Sequence, residues 1–476
     1  MMTPAHPQAA ALTTPREDYL RSLAIQACIY TWPLYEMQRM RAATSARKAP
    51  AQGFAGDSPE STQRWCNLFT HERELLIAGK SRVVMPNNDT LYANAWLDLS
   101  AGPLVIHLPD TGSRYYVLGF FDYYTNPFAH LGTRTTGNAA GTVLVTGPQW
   151  TGQVPAQFQT PGRHIQSATY WVWIIGRILV EGQHDVPVVN ALQDQFCMQT
   201  LSDWNHQSNT SDSPNKASQA SPARRFDAQF DPRAPLTPDH FRTVVNDALR
   251  SCPAQASDAL LLAQFGAVGI GAHQDAVLAP EAQAALAQAV GSVQALVQSH
   301  ESHVFGNAVK QTAQQAWKLP DYLGDSFGTH LLRRAFVARQ GIGQLTTDEA
   351  AYLRCEVDAD GALLNGAHSY TLHFAPGELP PVDAFWSITL YRCSDYFLVA
   401  NPIERYSMGD RTEGLVRDAD GGLTLTLAAH APLEAKARAN WLPSCEDDFF
   451  LCLRAYLPRP NLLNGDYVLP TPQRLL

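Results

Sequence analysis

The stretch Thr90-Leu-Tyr-Ala-Asn-Ala-Trp-Leu-Asp-Leu99 decides the fold, because apolar residues occupy every second position from Leu91. Successive side chains of an extended chain point to opposite faces, so this pattern predicts a strand with one buried face. Leu104-Val-Ile-His-Leu108 and Tyr115 to Tyr124 follow as further strands, separated by the turn-forming sequence Pro109-Asp-Thr-Gly-Ser113. Short strands at this spacing are typical of an antiparallel sandwich or barrel.

A second region of the same character begins near Tyr370. Its apolar segments are Tyr370-Thr-Leu-His-Phe374, Ala384 to Tyr391, Phe397-Leu-Val-Ala400, Leu423-Thr-Leu-Thr-Leu427 and Phe449 to Tyr456. Between them, Asp418-Ala-Asp-Gly-Gly422 has the chemistry of a hairpin connection, because glycine supplies the positive φ that such turns require. We therefore expect a second antiparallel sandwich.

Helical patterns precede the first β region and lie between the two. Apolar residues recur three and four positions apart in residues 17–46, and further helices are expected at Pro238–Ala248, Ala254–Phe265 and Pro280–His303. Asn205–Ala223 is polar and is expected to be a linker. The sequence thus predicts an α+β, mainly β protein with four parts: a helical segment (1–75), a jelly-roll-like β-sandwich (76–200), a linker with a helical region (201–345) and a C-terminal sandwich (346–476).

The composition limits the partners and the compartment. The 476 residues exceed the ~250–300 that one core supports. The net charge of −9 favours neither nucleic acid nor anionic lipid as a partner. No apolar run reaches the roughly 18 residues of a membrane span, and the best, Tyr170–Val180, is interrupted by Arg177. The first residues do not resemble a signal peptide and the cysteines form no CxxC pair, so a cytoplasmic protein with reduced thiols is predicted.

Familiar cofactor and nucleophile motifs do not occur in the sequence. It contains no P-loop, no GxGxxG after a strand and no GxSxG. His300-Glu-Ser-His303 spaces its histidines differently from the zinc motif HExxH and is expected to be a solvated helix end. The sequence therefore predicts no cofactor and no metal.

The densest polar signal is Pro86-Asn-Asn-Asp-Thr-Leu-Tyr92. Three short polar side chains before a strand can cap a turn, or they can bring a carboxylate and two amides to the mouth of a sandwich. In the functional interpretation Asp89 is a general base and Tyr92 an acid. Asn87 and Asn88 would then contact the substrate.

Phe120-Phe-Asp-Tyr-Tyr-Thr-Asn126 is the second candidate, because a strand that ends in Asp, Tyr and Asn has left the apolar core. Asp122 is an alternative base and Tyr123 an alternative acid, and Arg134 could hold an anionic group. Pairing of Arg134 with Asp122 or Asp89 would instead be structural. A catalytic arrangement requires the two carboxylates to lie within about 8 Å of one another or of Arg134, beside a pocket.

The third candidate is Asp383-Ala-Phe-Trp-Ser-Ile-Thr-Leu-Tyr391, followed by Arg405. Trp386 and Tyr391 could form a stacking surface for a sugar or an aromatic ligand, with Arg405 among the binding residues. The alternative is that Trp386 anchors the core and that Arg405 pairs with Asp410.

These motifs resemble a tandem of bacterial domain-of-unknown-function families, numbered twelve fifty-four (N-terminal) and twelve fourteen (C-terminal). The N-terminal match rests on Pro86 to Tyr92, Trp96-Leu-Asp98, Arg114-Tyr-Tyr116, Asp122 and Gly132-Thr-Arg-Thr-Thr-Gly137. The C-terminal match rests on Pro380 to Tyr391, Asn401-Pro402, Arg405-Tyr406, Asp420-Gly421, Asn440-Trp-Leu-Pro443 and Arg454-Ala-Tyr456. The chain departs from the family pattern at Ser444 to Phe449. The resemblance implies two β-sandwiches with helical portions, often in an oligomer, and no established activity.

Three functions remain open at this stage. The first is an enzyme, a hydrolase or a lyase, that performs acid–base chemistry on a small molecule in a cleft of the N-terminal sandwich. The second is a non-catalytic protein that binds a sugar or an aromatic ligand. The third is an oligomeric structural protein. A large apolar pocket that holds several of these polar residues favours the first, a shallow, open aromatic surface favours the second, and the absence of any concavity favours the third.

Overall fold

The computed structural model describes residues 14–50, 61, 63–80, 85–209, 222–253, 256–299, 316–318 and 326–475. It confirms the α+β class with mainly antiparallel sheets and helices between them, and each of the two four-stranded sheets contains one parallel pair. The helices are α1 (Pro15–Thr44), α2 (Val186–Gln193), α3 (Leu201–Asn209), α4 (Pro238–Ser251), α5 (Ala259–Phe265), α6 (Pro280–Gln298), α7 (Leu331–Gln340), α8 (Ala435–Ala439) and α9 (Pro460–Leu463).

The first sandwich contains the stretch that begins at Thr90. Its strands are β2 (Phe69–His71), β3 (Thr90–Asp98), β4 (Leu104–Leu108), β5 (Tyr116–Phe121), β6 (Pro127–Gly132), β7 (Gly141–Thr146), β8 (His164–Gln166), β9 (Trp171–Leu179) and β10 (Cys197–Thr200). A five-stranded sheet, β2-β3-β9-β5-β6, packs on a four-stranded sheet, β10-β4-β7-β8. The alternation places Leu91, Ala93, Ala95 and Leu97 in the core between the two sheets, as the sequence predicts.

The second sandwich has the same plan. Its strands are β12 (Trp317–Lys318), β13 (Ala350–Cys355), β14 (Tyr370–Phe374), β15 (Val382–Arg392), β16 (Ser407–Gly409), β17 (Leu423–Ala428), β18 (Trp441–Pro443), β19 (Phe449–Pro458) and β20 (Gln473–Arg474). The five-stranded sheet β12-β13-β19-β15-β16 packs on β18-β17-β14-β20 through one apolar core. A further two-stranded ribbon pairs β1 (Arg64–Cys66) with β11 (Arg224–Phe226).

Helix α1 lies at the centre of the helical region. Its start is fixed by Thr14, whose hydroxyl accepts the Glu17 backbone N–H while the Glu17 carboxylate accepts the Thr14 N–H. It contacts α4, α6 and α7. Its buried residues share one core with Trp96 and Trp173, which project from the outer face of the first five-stranded sheet. That sheet is therefore covered on both faces.

Two expectations for the loops need comment. Asn205–Ala223 was expected to be a linker, but helix α3 extends to Asn209, because the Thr200 hydroxyl caps its first turn through the Asp203 N–H. Most of that segment and the whole of His300–His303 lie outside the described residues.

The two sandwiches meet through the outer faces of their five-stranded sheets. Tyr115, directly before β5, packs against Phe385 of β15 and Tyr456 of β19, with ring centroids 5.5 and 5.3 Å apart. The segment before β3 bridges the same gap, because the Tyr391 hydroxyl donates to the Pro86 carbonyl at 2.7 Å. This junction brings polar residues from both sandwiches together.

Candidate functional site

The polar residues at the junction follow from strand periodicity. Tyr92 of β3 and Arg177 of β9 are directly opposite in the antiparallel ladder and occupy positions that alternate with core residues. Tyr352 of β13 and Arg454 of β19 are paired in the same way in the second sandwich. All four side chains therefore point away from their own sandwich cores and into the junction.

Arg177 is the central charge of the junction. It is 6% exposed, and its Nη2 donates to the Gly343 carbonyl at 3.1 Å. Its Nη1 is buried without a hydrogen-bond partner. The guanidinium lies 5.5 Å from the centre of the Tyr92 ring. Burial opposes the charge of the guanidinium, and no carboxylate of the described residues lies within ion-pair distance to offset it.

Two tyrosines beside Arg177 carry hydroxyls that the protein does not pair. The Tyr352 hydroxyl is buried without a partner. Tyr92 keeps part of its side chain accessible, and burial raises the pKa of its hydroxyl. Tyr352 lies on β13 of the second sandwich and faces the same junction from the other side.

Glu72 completes this group from the strand edge next to β3. Its backbone N–H donates to the Tyr92 carbonyl at 2.9 Å, and its side chain is 8% exposed with Oε2 unpaired. Burial raises the pKa of this carboxyl to about 8, and the charge of Glu72 in turn raises the pKa of Tyr92. We call this group of four residues, Glu72, Tyr92, Arg177 and Tyr352, the recess.

An aromatic wall borders the recess. Phe385 and Tyr456 are stacked at 4.2 Å, and Tyr115 meets both rings edge-on. The Tyr115 hydroxyl donates to Glu349 at 2.7 Å, and Glu349 also accepts from Arg134 Nε at 2.6 Å. The wall is thus anchored to an ion pair between the buried Glu349 and the partly exposed Arg134.

Arg134 therefore lies at the margin of the junction, and its charge is already engaged. Beyond Glu349, its Nη1 donates to Asp348 at 2.7 Å. The structure thus pairs it with carboxylates that follow α7 and not with Asp89 or Asp122. An anionic ligand at Arg134 would have to displace the protein's own carboxylates.

Asp89 holds the segment before β3 against the second sandwich. Its two carboxylate oxygens accept the hydroxyls of Ser387 and Ser407, the latter at 3.1 Å, and Arg411 approaches within 3.8 Å. Beside it, the Asn87 amide donates to the Tyr456 hydroxyl at 2.7 Å.

Arg454 and Asn88 anchor the ends of the same segment. Arg454 donates to Thr389 at 2.8 Å and to the Met85 carbonyl at 2.9 Å. The Asn88 amide donates to the Leu76 carbonyl at 2.7 Å. The polar run that the sequence suggested for catalysis is thus a docked connection between the two sandwiches.

Asp122 and Tyr123 lie in a different environment. Asp122 Oδ1 accepts the backbone N–H groups of Tyr124 and Asn126, both at 2.9 Å, and Oδ2 accepts the Asn126 amide. Burial raises the pKa of Asp122, while these hydrogen bonds and the charge of Arg334 on α7 lower it. Tyr123 donates to Gln38 of α1. Neither residue shares a hydrogen-bond partner with Asp89.

The stacking surface expected at Trp386 and Tyr391 needs correction. Trp386 is 2% exposed and packs on Phe374 inside the second sandwich, and Tyr391 is fully buried. Neither ring presents a face to solvent, because the alternation of β15 directs one into the sandwich core and the other into the junction. Arg405 donates to the carbonyls of Ala439 and Trp441 and not to Asp410.

Sequence analysis missed Glu72 and Tyr352 and noticed Arg177 only as an interruption. A single arginine within the apolar run Tyr170–Val180 was the available signal, since a charged residue in a buried strand requires a partner or a function. Glu72 carried no signal, because it follows a strand of only three residues.

Several wider features of the molecule bear on its chemistry. All eight cysteines are free thiols. Within the described ranges, no group of three His, Cys, Asp or Glu side chains is placed to hold a metal ion. None of the helices in the described part of the chain combines the length and the apolar character that a membrane crossing requires.

Two family models match the chain, and both are described as proteins of unknown function: DUF1254 over residues 66–200 and DUF1214 over residues 349–460. The tandem inferred from the motifs is therefore confirmed. Glu72, Tyr92 and Arg177 lie in the first region and Tyr352 in the second, so both regions form the recess.

Comparison with solved structures supports the same fold. The chain is similar to the VPA0106 protein from Vibrio parahaemolyticus, with 23% identity, a TM-score of 0.66 and coverage of 96% of this chain and 100% of that one. A protein from Burkholderia cenocepacia matches at 12% identity with a TM-score of 0.42, over 96% and 94% of the two chains. No curated protein matches the chain.

Proposed function

Starting from a chain that carries the DUF1254 and DUF1214 regions in tandem, we propose that it is a small-molecule enzyme. The enzyme performs acid–base chemistry, a hydrolysis or an elimination, in the recess between its two five-stranded sheets. The observation that carries the proposal is a set of buried polar atoms without partners on residues of the recess: Arg177 Nη1, Tyr352 Oη and Glu72 Oε2.

Buried polar atoms without partners lower the stability of the folded protein. A buried donor or acceptor without a partner costs about 1–3 kcal/mol, and native structures keep few of them. In the same junction both carboxylate oxygens of Asp89 accept serine hydroxyls, so the protein supplies partners to that carboxylate itself. Unpaired groups around Tyr92 therefore favour a site that a ligand completes.

Glu72 is the group best suited to exchange a proton with that ligand. Burial holds its pKa at about 8, so at neutral pH the carboxyl is mainly protonated and can act as an acid. Its Oε2 is open, whereas both oxygens of Asp89 already accept hydroxyls. In this proposal Asp89 positions the segment that carries Tyr92, and Glu72 and Tyr92 transfer protons.

The test is a search for turnover followed by a pH profile. A library of small esters, amides and hydroxy acids is incubated with the protein, and product formation is followed by NMR. We expect Glu72→Gln to lower turnover of any substrate by about 100-fold or more and to remove the limb of the kcat/KM profile near pH 8.

Glu36→Gln is the matched control, because burial also raises the pKa of Glu36, which lies on α1 in the helical region. Its activity and pH profile should be unchanged. Ligand binding without turnover would support a non-catalytic binding protein, and a pH profile that survives in Glu72→Gln would refute the assignment of Glu72.

The proposal extends to the compartment and the assembly. The free thiols are compatible with a reducing cytoplasm, and the family resemblance suggests a homo-oligomer. Light scattering of the purified protein measures its oligomeric state directly, and a monomeric mass would refute the homo-oligomer.

A further inference from the structure

Tyr92 lies between a carboxyl group and a guanidinium group on the outer face of the first five-stranded sheet. Arg177 of β9 is its direct partner in the antiparallel ladder. Glu72 is on its other side, because the Glu72 backbone N–H donates to the Tyr92 carbonyl at 2.9 Å. Side chains that are directly opposite in such a ladder are neighbours, with Cβ atoms about 4.5–5.5 Å apart. Strand pairing therefore fixes the order of the three side chains across the sheet.

The guanidinium of Arg177 is close to the aromatic ring of Tyr92. Its central carbon lies 5.5 Å from the ring centre. When a tyrosine loses its proton, the negative charge spreads from the oxygen into the ring, so this distance measures how closely the two charges would approach. An opposite charge within about 4–6 Å favours the ionised form of a group, typically by about 1–3 pKa units. Arg177 is thus placed to stabilise the anion of Tyr92.

A second arginine–tyrosine pair in the junction provides a comparison. Arg454 also lies 5.5 Å from the centre of a tyrosine ring, that of Tyr391. The Tyr391 hydroxyl is buried and donates to the Pro86 carbonyl, so its proton is committed to the fold. Tyr92 keeps part of its side chain accessible, and no hydrogen bond among the described residues involves its hydroxyl. Of the two tyrosines, only Tyr92 has a proton that can be exchanged.

The charge of Arg177 is not neutralised by another group of the protein. No carboxylate of the described residues lies within ion-pair distance of its guanidinium. A single hydrogen bond, from Nη2 to the Gly343 carbonyl at 3.1 Å, holds it in place. A carboxylate partner would cancel most of the effect of Arg177 on its surroundings, and without one the full positive charge acts on Tyr92.

Three further titratable or charged groups face Tyr92. Glu72 does so from the same sandwich, and Arg454 and Tyr352 do so across the junction. A negative charge on Glu72 opposes ionisation of Tyr92, whereas the positive charge of Arg454 favours it. Burial raises the pKa of the Tyr92 hydroxyl, and of the surrounding charges Arg177 acts most strongly in the opposite direction.

We infer that Arg177 is a positioning residue that stabilises the anion of Tyr92, which makes Tyr92 the second group that exchanges a proton with the substrate. The inference rests on the proposed function and deepens it. In the reaction the Tyr92 hydroxyl gives its proton to the leaving group of the substrate and keeps the electron pair of the O–H bond. The proton that restores the hydroxyl comes from the attacking water in a hydrolysis, or from the carbon that is deprotonated in an elimination.

The experiment places 3-fluorotyrosine at position 92 of the full chain and follows its ionisation by fluorine NMR as a function of pH, without any substrate. We expect Arg177→Met to raise the pH at which this probe ionises by at least about one unit, because a nearby positive charge is removed. Arg177→Lys keeps a positive charge and should recover most of the difference.

The same variants separate binding from catalysis once a substrate is known. The anion of Tyr92 forms only as the proton is transferred, so Arg177 should contribute little to the binding of the substrate itself. Arg177→Met should therefore lower kcat by about tenfold or more and leave KM nearly unchanged.

Arg334→Met is the matched control for the ionisation of the probe. Arg334 is also 6% exposed and lies over tyrosine rings, but these are Tyr30 and Tyr124, at 5.2 and 5.4 Å. This variant should leave the ionisation at position 92 unchanged. Arg392→Met, at an exposed ion pair with Asp395, is a second control that involves no buried packing.

Three outcomes would overturn the inference. The first is a probe that ionises at the same pH in Arg177→Met as in the unaltered background. The second is an equal shift in Arg334→Met or Arg392→Met, because the effect would then not be specific to Arg177. The third is Arg177→Lys behaving like Arg177→Met, because the positive charge would then not be the cause.

The two proposals fail in different ways. If Arg177→Met shifts the ionisation of the probe but no substrate is turned over, the electrostatic coupling stands and the enzymatic function fails. If a substrate is converted in a Glu72-dependent reaction while Arg177→Met changes neither the ionisation nor kcat, the function stands and the inference fails.

Discussion

Replacing Arg177 by methionine should make the ligand-free protein more stable. Methionine has a similar length and no charge, so the substitution removes a buried cation that has no carboxylate partner. A residue kept for stability would behave in the opposite way. The sign of the change therefore separates a site residue from a structural one.

The magnitude follows from the contacts of Arg177. Removing an uncompensated buried ion recovers roughly 4 kcal/mol. The hydrogen bond to the Gly343 carbonyl and the contact with the Tyr92 ring are lost, at about 1.5 and about 1 kcal/mol. The net expectation is stabilisation by about 1.5 kcal/mol.

The assay is urea denaturation at neutral pH in a buffer free of carboxylates. Arg114→Met is the comparison, because Arg114 donates to both carboxylate oxygens of the buried Asp185, at 2.5 and 2.8 Å, and its removal leaves that carboxylate unpaired, which should destabilise the protein by about 3 kcal/mol. If Arg177→Met loses 2 kcal/mol or more, the guanidinium is compensated in the empty protein and the reasoning is wrong.

Other consequences can be measured on the same protein. Because the pKa of Glu72 rises from 4.5 to about 8 on folding, the folded state binds the extra proton. The contribution of Glu72 to the free energy of unfolding is complete below pH 4.5 and is lost as the pH rises towards 8, by up to roughly 1.4 kcal/mol per pH unit. In denaturation measured as a function of pH, Glu72→Gln should flatten this slope. Asp89→Asn puts a donor opposite a serine hydroxyl and should cost about 1–3 kcal/mol, whereas Asp194→Asn, at an exposed pair, should cost about 0.5 kcal/mol or less in the same assay. Trp386→Ala should cost about 3–5 kcal/mol in urea denaturation, a loss that an exposed stacking residue would not show. Thiol titration in denaturant without reductant should find all eight cysteines free, and three or more disulfides would contradict the reducing compartment.

The candidate site was only partly predictable. The motif from Pro86 to Tyr92 was recognised as unusual, and its residues do lie at the junction. The sequence did not indicate that Asp89 accepts hydrogen bonds from Ser387 and Ser407, which lie 298 and 318 residues further along the chain. Asp122 was grouped with Asp89 because both are polar residues beside strands of one sheet. The structure separates them, because Asp122 caps its own turn.

The sequence by itself determined the position of the longer strands with clear alternation, such as β3 and β15, whereas short strands such as β8 and β16 were not predicted and Phe397–Ala400 forms no strand. The alternation from Leu91 to Leu99 is a local property, since neighbouring side chains of an extended chain must point to opposite sides. The same rule placed Tyr92 opposite that core and predicted two antiparallel sandwiches.

Tertiary structure alone decided which surface packs against the outer face of each five-stranded sheet. The outer faces of the two five-stranded sheets are brought together by contacts across hundreds of residues, such as the hydrogen bond from Asn87 to Tyr456. No local periodicity encodes such a pairing, because it depends on how the complete surfaces of both sandwiches fit. The recess exists only at that junction, because Arg177 belongs to the first sandwich and Tyr352 to the second.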